Sequence, residues 1–312
     1  MKKIIFFGTS DFAVPALKAL LNDERFEVVG VVTQADKPVG RHAILTPPAI
    51  KKFLASAVPA RTGIPIKQPL KLKDEDFKSW ITDIGPSCDA FVIVSYGKIL
   101  PQWLLDLPKK GIVNVHGSLL PRWRGASPIQ AAIAAGDALS GVTVMLIDAE
   151  MDHGPLLATA DEKILAEDTG STLHDRLALL GGHILPDILS DYLEGKIQPQ
   201  EQDHEKATYC KILSRDDGKL DFTKTADELE RLIRAYDPWP GTWMEIDGKR
   251  VKILSAKISQ KADETKPADR FVRNSSPCIT CADGTVLEIV RLQPEGKKAM
   301  EGSDYLRGKK SW

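Results

Sequence analysis

Short apolar runs alternate with helix-like stretches over the first two thirds of the chain. Apolar runs at Lys2–Phe7, Phe26–Thr33, Ala90–Ser95 and Gly111–His116 have the length of buried strands, and helical patterns separate them. Strands that are apolar on both faces and alternate with helices are typical of a mostly parallel sheet covered by helices. The pattern therefore predicts an α/β domain.

The turn after the first strand bears on what this domain binds. It reads G-T-S-D-F-A from Gly8 to Ala13 and lacks the second and third glycines of the G-x-G-x-x-G motif. Those glycines let a pyrophosphate approach the backbone closely. We therefore predict a Rossmann-like fold without a dinucleotide. Further helices are predicted at Pro48–Ala57, Asp74–Thr82, Pro101–Leu107, Pro128–Ala135 and Leu173–Leu193, and further strands at Gly141–Ile147 and Pro155–Ile164.

The pattern changes near residue 195. Gly195–Lys206 is polar and non-periodic, which indicates a linker, and a short helical pattern follows at Asp227–Ala235. Short β-rich runs then alternate with turns, and the pairs Asp247-Gly248 and Asp283-Gly284 are typical of hairpins. This pattern predicts a small, OB-like antiparallel β-barrel. The predicted division is an α/β domain at 1–194, a linker at 195–210 and the β-barrel domain at 211–312.

Charge is distributed unevenly along the 312 residues. The net charge is −1, but residues 206–312 hold 21 lysine and arginine against 17 aspartate and glutamate residues, a balance of +4. Such asymmetry fits a module that binds a polyanion, and it equally fits an ordinary charged surface. No apolar run has the length of a membrane span or of a signal-peptide core. Because only four cysteines occur in so long a chain, we expect a reduced, cytoplasmic protein without a membrane partner.

The predicted strand Gly111–His116 carries two polar side chains, Asn114 and His116, two positions apart. Residues i and i+2 of a strand project from the same face, and ligands bind beyond the carboxyl ends of strands in open α/β sheets. An amide and an imidazole held side by side suit the stabilisation of an oxyanion or the movement of a proton from an amine. Each residue alone is also compatible with a structural role, and the spacing leaves both interpretations open.

Asp152 lies in the turn M-D-H-G that follows the predicted strand Gly141–Ile147. In a parallel sheet that turn would reach the edge where His116 lies. A carboxylate beside an imidazole orients the ring and favours its protonated form. Aspartate is also a common turn residue, so both interpretations are kept, and the adjacent His153 is interpreted as part of the turn.

Metal binding has little support in the sequence. Cys278 and Cys281 form one C-x-x-C pair, but a structural zinc site needs a second pair, and Cys88 and Cys210 are isolated. We therefore expect no metal. The basic cluster Arg122-Trp123-Arg124 and other basic pairs are compatible with a solvated surface or with contacts to a phosphate backbone.

The stretch N-V-H-G-S-L-L-P-R-W-R-G-A-S-P-I-Q, from Asn114 to Gln130, closely resembles the signature of the 10-formyltetrahydrofolate-dependent formyltransferases. Five further segments are similar to the branch of this family that acts on tRNA: F-G-T-S-D-F-A, V-T-Q-A-D-K-P-V-G-R, V-S-Y-G-K-I-L-P, R-A-Y-D-P-W-P and L-Q-P-E-G-K-K-A-M. These matches run from Phe7 to Met300, which is nearly the whole chain.

The resemblance implies roles for individual residues. The family's catalytic residues fall on Asn114, His116 and Asp152, its folate contacts on Ser118, Leu119, Leu120 and Pro121, and its tRNA contacts on Arg41, Lys297 and Lys298. It also implies 10-formyltetrahydrofolate as co-substrate and methionyl initiator tRNA as acceptor. The loop Gln34–Pro48 would meet the tRNA, although His42-Ala43-Ile44 are less basic than the family pattern. We expect a monomer.

The expected reaction is attack of the acceptor's free amine on the formyl carbon. Asn114 and His116 would donate to the oxyanion, while Asp152 sets the protonation of His116 and assists removal of the amine proton. The same core would also serve a small amine, such as an amino-sugar nucleotide or glycinamide ribonucleotide, because a fold does not choose the acceptor. The basic C-terminal segment and the long loop argue against that alternative. The three intact catalytic residues argue against a binding protein without activity.

Overall fold

A computed structural model describes residues 1–40, 42–56, 63–262, 266–307 and 312. The chain divides into two compact units that interleave along the sequence. The first unit consists of Met1–Gly125, Ser140–Glu162 and His174–Tyr209, and the second of Ala126–Leu139, Lys163–Leu173 and Cys210–Trp312.

Strands and helices alternate in the first half of the chain, and strands dominate the end. The strands are β1 (Lys2–Gly8), β2 (Phe26–Val32), β3 (Lys37–Val39), β4 (Ile44–Thr46), β5 (Ile66–Lys67), β6 (Ala90–Val94), β7 (Ile112–His116), β8 (Arg124–Gly125), β9 (Leu139–Leu146), β10 (Leu156–Lys163), β11 (Tyr209–Cys210), β12 (Thr242–Ile246), β13 (Lys249–Ser259), β14 (Arg270–Arg273), β15 (Ser276–Thr280), β16 (Val286–Pro294) and β17 (Met300–Glu301). The helices are α1 (Val14–Asn22), α2 (Ala49–Ser56), α3 (Glu75–Ile84), α4 (Gln102–Leu105), α5 (Pro128–Ala135), α6 (Gly170–Leu193), α7 (Ala226–Ala235) and α8 (Gly302–Arg307).

The main sheet has, over the described residues, seven strands in the order β10-β9-β7-β6-β1-β2-β5. The pairs among β5, β2, β1, β6 and β7 are parallel. The side chains of β6 are all buried, and so are Ile4–Phe7 of β1, because both faces of the sheet are covered. The predicted α/β fold with a mostly parallel sheet is confirmed.

One part of the sheet differs from the prediction. Strand β9 runs antiparallel to β7, with His116 opposite Thr143 and Val113 opposite Leu146. The carboxyl end of β9 therefore lies beside the start of β7, at the edge away from His116. The expectation that a parallel strand delivers Asp152 to that edge is wrong.

The second sheet belongs to the C-terminal part of the chain and is antiparallel. Its strand order is β12-β13-β16-β15-β14, with β17 beside β16. The predicted hairpin at Asp247-Gly248 is confirmed, since both residues have positive φ, 52° and 72°, as a tight hairpin turn requires. Among the described residues the strand pairs form an open path, so the antiparallel sheet is confirmed and its closure into an OB-like barrel stays a prediction.

The segment predicted as the loop Gln34–Pro48 contains a small hairpin, β3 paired with β4. Its base is held by Asp36, whose carboxylate accepts hydrogen bonds from Lys51 Nζ at 2.9 Å and Gln68 Nε2 at 2.8 Å. Arg41 lies outside the described residues. Over the parts of the chain that the structure describes, no helix has the length and apolar character needed to cross a membrane.

Candidate active site

Hydrogen bonds join the residues that follow the neighbouring strands β1 and β6 at one edge of the main sheet. Ser10 Oγ donates to Ser95 Oγ at 2.7 Å, and Thr9 Oγ1 donates to the Tyr96 carbonyl oxygen at 2.9 Å. Gly8 ends β1 without a side chain because a Cβ there would collide with Phe6 and Ala13. Strand β7 lies next to β6, so its carboxyl end belongs to the same edge, where α/β sheets bind ligands.

Asn114 and His116 lie on β7 between two neighbouring strands. Asn114 pairs with Ile93 of β6 and with Met145 of β9, so the backbone at this position is fixed from both sides. Both side chains are nearly buried, with 8% and 7% of their surface exposed. Within the described residues, the Asn114 side-chain amide has no hydrogen-bond partner. The structure thus holds a buried amide next to the imidazole, as the spacing predicts.

The His116 ring is oriented by contacts on both nitrogen atoms. Nε2 lies 2.9 Å from the Trp123 carbonyl oxygen, and Nδ1 lies 3.6 Å from Asp152 Oδ2. A carbonyl oxygen can only accept, so Nε2 carries the hydrogen of that bond. Nδ1 is therefore the ring atom that remains for chemistry, and it faces a carboxylate.

Asp152 reaches His116 through an irregular turn rather than through a strand end. Its backbone has a φ of 50°, in the left-handed region that L-residues adopt at some cost. Its Oδ2 accepts a hydrogen bond from the Gly125 N–H at 2.8 Å, and a Cβ at Gly154 would collide with the Leu146 carbonyl oxygen. The predicted proximity of Asp152 and His116 is confirmed, although by a different route.

The predicted folate contacts Ser118–Pro121 form a fixed turn directly after β7. The Ser118 hydroxyl donates to the Arg122 carbonyl oxygen at 2.6 Å, and the Leu120 N–H donates to Thr143 Oγ1 at 3.1 Å. Thr143 Oγ1 in turn donates to the Ser118 carbonyl oxygen at 2.6 Å. The Ser118 hydroxyl therefore shapes the turn in this structure, and contact of Ser118–Pro121 with a folate stays a prediction.

Arg124 is buried, with 2% of its surface exposed, which contradicts its interpretation as a surface cation. Its guanidinium donates to Gln202 Oε1, from Nε at 3.1 Å and from Nη2 at 2.7 Å, and to His204 Nδ1 at 2.8 Å. The His204 ring stacks on His153 at 4.0 Å, and His153 Nδ1 donates to Asp148 Oδ2 at 2.7 Å. His153 is therefore held in the turn, as predicted.

Gln202 is a residue of this region that the sequence analysis missed. It lies in the polar segment interpreted as a linker, yet 5% of its surface is exposed. Thr208, in the same segment, donates and accepts backbone hydrogen bonds with Pro121 and Arg124. No local sequence signal marks these residues, because their partners lie about 80 positions away.

The remaining residues that the sequence analysis singled out belong to the second unit. Lys297 and Lys298 are exposed in the turn between β16 and β17 of the second unit. Cys278 and Cys281 are buried, and burial raises the pKa of the Cys281 thiol to about 11. Across the described ranges, no group of three or more histidine, cysteine or acidic residues is placed to hold a metal ion.

Two family models match the chain, and both concern the same chemistry. The one described as formyl transferase matches residues 2–189, and the one described as the formyl transferase C-terminal domain matches residues 212–310. The methionyl-tRNA formyltransferase of Marinobacter nauticus is 40% identical over 309 residues, which are 99% of this chain and 96% of that protein.

Solved structures resemble this fold at low sequence identity. An N-formyltransferase from Helicobacter canadensis, in complex with folinic acid and dTDP-3-aminofucose, has a TM-score of 0.67 at 17% identity, over 94% of this chain and 100% of that one. HypX from Aquifex aeolicus, in complex with tetrahydrofolic acid, has a TM-score of 0.61 at 15% identity, over 98% of this chain and 47% of that one. At these identities the similarity is evidence for the fold alone.

Proposed function

Because the chain belongs to the formyl transferase family, we propose that it transfers the formyl group of 10-formyltetrahydrofolate to the free amine of methionyl initiator tRNA, giving formylmethionyl-tRNA for translation initiation. The choice of methionyl-tRNA as the acceptor rests on the 40% identity to a methionyl-tRNA formyltransferase over 99% of the chain. The observation that supports the chemistry is the cluster of Asn114, His116 and Asp152 at a ligand-binding edge of the sheet.

Asn114 is proposed as a donor to the oxygen of the formyl carbon under attack. When an amine adds to that carbon, negative charge develops on the oxygen, and fixed donors stabilise it most in a site that excludes water. The Asn114 amide is nearly buried and has no hydrogen-bond partner among the described residues, so its N–H groups are left for a substrate oxygen. Amide donors that the protein leaves unused, on the same strand as His116, are available to a bound substrate, which supports this role.

His116 is proposed to act through Nδ1. Since Nε2 already donates to the Trp123 carbonyl oxygen, donation from Nδ1 requires the doubly protonated ring. The Trp123 carbonyl oxygen lies on one side of the ring and the Asp152 carboxylate lies 3.6 Å from Nδ1 on the other, so both ring nitrogens face acceptors. In that form Nδ1 donates to the developing oxyanion, while the carboxylate of Asp152 receives the amine proton directly or through water. Collapse of the tetrahedral adduct then breaks the bond between the formyl carbon and N10 of the folate, and N10 leaves with the proton that the amine has lost.

The formyl donor is proposed to contact the turn Ser118–Pro121. This turn lies directly after His116 and is held rigid by Thr143, so a bound molecule would meet a preformed surface. The two structural relatives were solved with folates bound, which supports a folate as donor. No metal is needed for this reaction.

The acceptor is proposed to contact both the β3–β4 hairpin, with Arg41, and the C-terminal domain, 211–312, with Lys297 and Lys298. The balance of +4 over residues 206–312 and the exposure of both lysines support contact with a phosphate backbone. We further propose that the antiparallel sheet there closes into an OB-like barrel. A cytoplasmic monomer remains the expectation for an enzyme that acts on charged tRNA.

The proposed function is tested by offering the protein 10-formyltetrahydrofolate with methionyl-tRNA, or with amino-sugar nucleotides and glycinamide ribonucleotide as alternative acceptors. We expect the methionine of the tRNA to gain the mass of one formyl group and the small amines to remain unchanged. Formylation of a small amine without formylation of the tRNA would overturn the choice of acceptor. No transfer to any of them would overturn the proposed chemistry.

A further inference from the structure

Gln202 uses the full hydrogen-bonding capacity of its side-chain amide. Its Nε2 donates to the carbonyl oxygens of Asp152 at 2.9 Å and Gly154 at 2.8 Å. Its Oε1 accepts two hydrogen bonds from the Arg124 guanidinium, at 3.1 and 2.7 Å. The donor and acceptor ends of the amide cannot exchange places, because carbonyl oxygens only accept and a guanidinium only donates.

The two carbonyl groups that Gln202 binds belong to the turn that carries the Asp152 carboxylate. A non-glycine residue at a φ of 50° keeps that conformation only where its surroundings hold it there. The Gly125 N–H holds the carboxylate end, and Gln202 holds the backbone end. The two sets of hydrogen bonds together fix both the position of the turn and the direction of its side chain.

Arg124 adds strength to this arrangement. A positive group bound to the oxygen of an amide polarises it and makes its N–H groups stronger donors. The residue after Arg124 is Gly125, whose N–H donates to the Asp152 carboxylate. The residue before it is Trp123, whose carbonyl oxygen accepts from His116. A closed circuit of contacts therefore connects His116, the Trp123–Gly125 segment, Gln202 and Asp152.

The geometry points to Gln202 as a positioning residue for the transfer reaction. It touches neither the imidazole nor the carboxylate, and it acts by holding the Asp152 turn so that Oδ2 faces His116 Nδ1. The effect of Gln202 on the reaction rate rests on the proposed function. Displacement of a group by about 1 Å lowers turnover by up to about a hundredfold even where substrate contacts are intact.

The substitution Q202E separates positioning from burial of Arg124. A glutamate accepts from the guanidinium as well as glutamine does, but it cannot donate to the carbonyl oxygens of Asp152 and Gly154. We expect kcat to fall roughly ten- to a hundredfold, while KM for the formyl donor and for the tRNA changes about twofold or less. The matched control is Q198E, which places the same charge on an exposed glutamine of the same segment and should behave as wild type.

A double substitution distinguishes positioning of Asp152 from a general structural role. If Gln202 acts through Asp152, Q202E should lower kcat little further once D152N is present, because there is no carboxylate left to position. Multiplied losses in the double variant would overturn the proposal. So would a Q202E enzyme with wild-type kcat.

A readout that needs no activity keeps this test separate from that of the proposed function. The ring ¹⁵N resonances of His116 report on the carboxylate beside Nδ1, and in Q202E they should move from their wild-type positions towards those of D152N. Resonances of Q202E that coincide with those of wild type would overturn the positioning role. If the protein transfers no formyl group, the function fails while this measurement still decides whether Gln202 places Asp152. Should Q202E fail to fold, Q202N carries the same measurement, because asparagine keeps the amide but is too short to bind Arg124 and the turn together.

Discussion

Asn114 and Gln202 are two buried amides in the first unit that differ in one respect. The donors and the acceptor of the Gln202 amide all bind protein groups, whereas the Asn114 amide has no partner within the described residues. At Asn114 the fold leaves the amide to a bound molecule, and in the proposed chemistry its partner is the substrate oxygen.

Substitution of Asn114 by alanine should therefore affect the chemical step more than binding. Loss of one oxyanion donor lowers turnover by about a hundred- to a thousandfold. We expect N114A to show a loss of this size in kcat, measured by single-turnover formylation, with the affinity for the formyl donor unchanged in a fluorescence titration. N22A, at an exposed position at the end of α1, is the control. Wild-type turnover in N114A would remove Asn114 from the mechanism.

The four cysteines should differ in their reactivity towards a thiol reagent. Burial raises the pKa of Cys88 and Cys281 to about 11 and raises that of Cys278, so few thiolates form at these positions near pH 8. Cys210 is half-buried. We expect one thiol to react ahead of the others in the native protein, and C210S to abolish that fast phase. Fast labelling of Cys281 in the native protein would contradict the burial of that thiol.

Residues of the site were predictable where their partners are close in sequence. The two-residue period of a strand places Asn114 and His116 on one face without further information. The burial of Gln202 was not predicted, because nothing near it in sequence distinguishes a buried amide from a solvated one. Its partners lie about 50 and 80 positions away. Long-range hydrogen bonds leave no periodic signal.

Helix α7 illustrates, at the scale of an element, how a local signal stabilises a structure. Thr225 Oγ1 accepts from the Glu228 N–H, and the Glu228 carboxylate accepts from the Thr225 N–H at 2.8 Å, which forms a capping box. T225A should weaken the helix by about 1 kcal/mol, so the amide hydrogens of its first turns should exchange roughly fivefold faster. T225S keeps the hydroxyl and should exchange as wild type does. Equal exchange in T225A would show that packing alone holds this helix.

The β3–β4 hairpin should lose protection in acid. Hydrogen bonds from Gln68 and Lys51 hold the pKa of Asp36 below its ordinary value of 3.8. A carboxyl with a lowered folded-state pKa stabilises the fold above its unfolded pKa, and this contribution is lost as the pH falls through the folded value. We therefore expect the protection factors of the backbone amides in β3 and β4 to fall below about pH 4, as measured by hydrogen exchange. In D36N protection should be lower at neutral pH and should not change over this interval; an acid-dependent loss in D36N would assign it to another group.

Elements were predictable where the pattern is long and periodic. Helix α5 has the predicted bounds, and the strands β1, β2, β6 and β7 lie within a residue or two of theirs. The direction of β9 was not predictable, because an apolar run has the same pattern whether it pairs parallel or antiparallel. The hairpin inside Gln34–Pro48 was missed because its exposed side chains, including Ile44 and Leu45, show no alternation of buried and polar positions.

At the scale of the whole molecule, sequence order and spatial grouping differ. The second unit takes Ala126–Leu139 from the middle of the chain, where the Ala134 carbonyl oxygen of α5 accepts a hydrogen bond from Arg231 of α7 at 3.3 Å. Hydrophobic patterns identify α5 as a helix but do not say which core it joins. The charge balance, in contrast, can be counted from the sequence alone. The positive balance of residues 206–312 does not depend on packing.

That charge leads to a prediction about salt. Each lysine that neutralises a phosphate releases counterions, so kcat/KM for methionyl-tRNA should fall steeply between about 50 and 200 mM salt, whereas transfer to any small uncharged amine should not. Replacing Lys297 and Lys298 together by alanine should lower the slope of log(kcat/KM) against log[salt] by about two if each contacts one phosphate. K18A, which removes an exposed lysine of α1 in the first unit, should leave the slope unchanged. An unchanged slope in the double variant would place the contacts elsewhere, and a wild-type rate independent of salt would argue against a polyanionic acceptor.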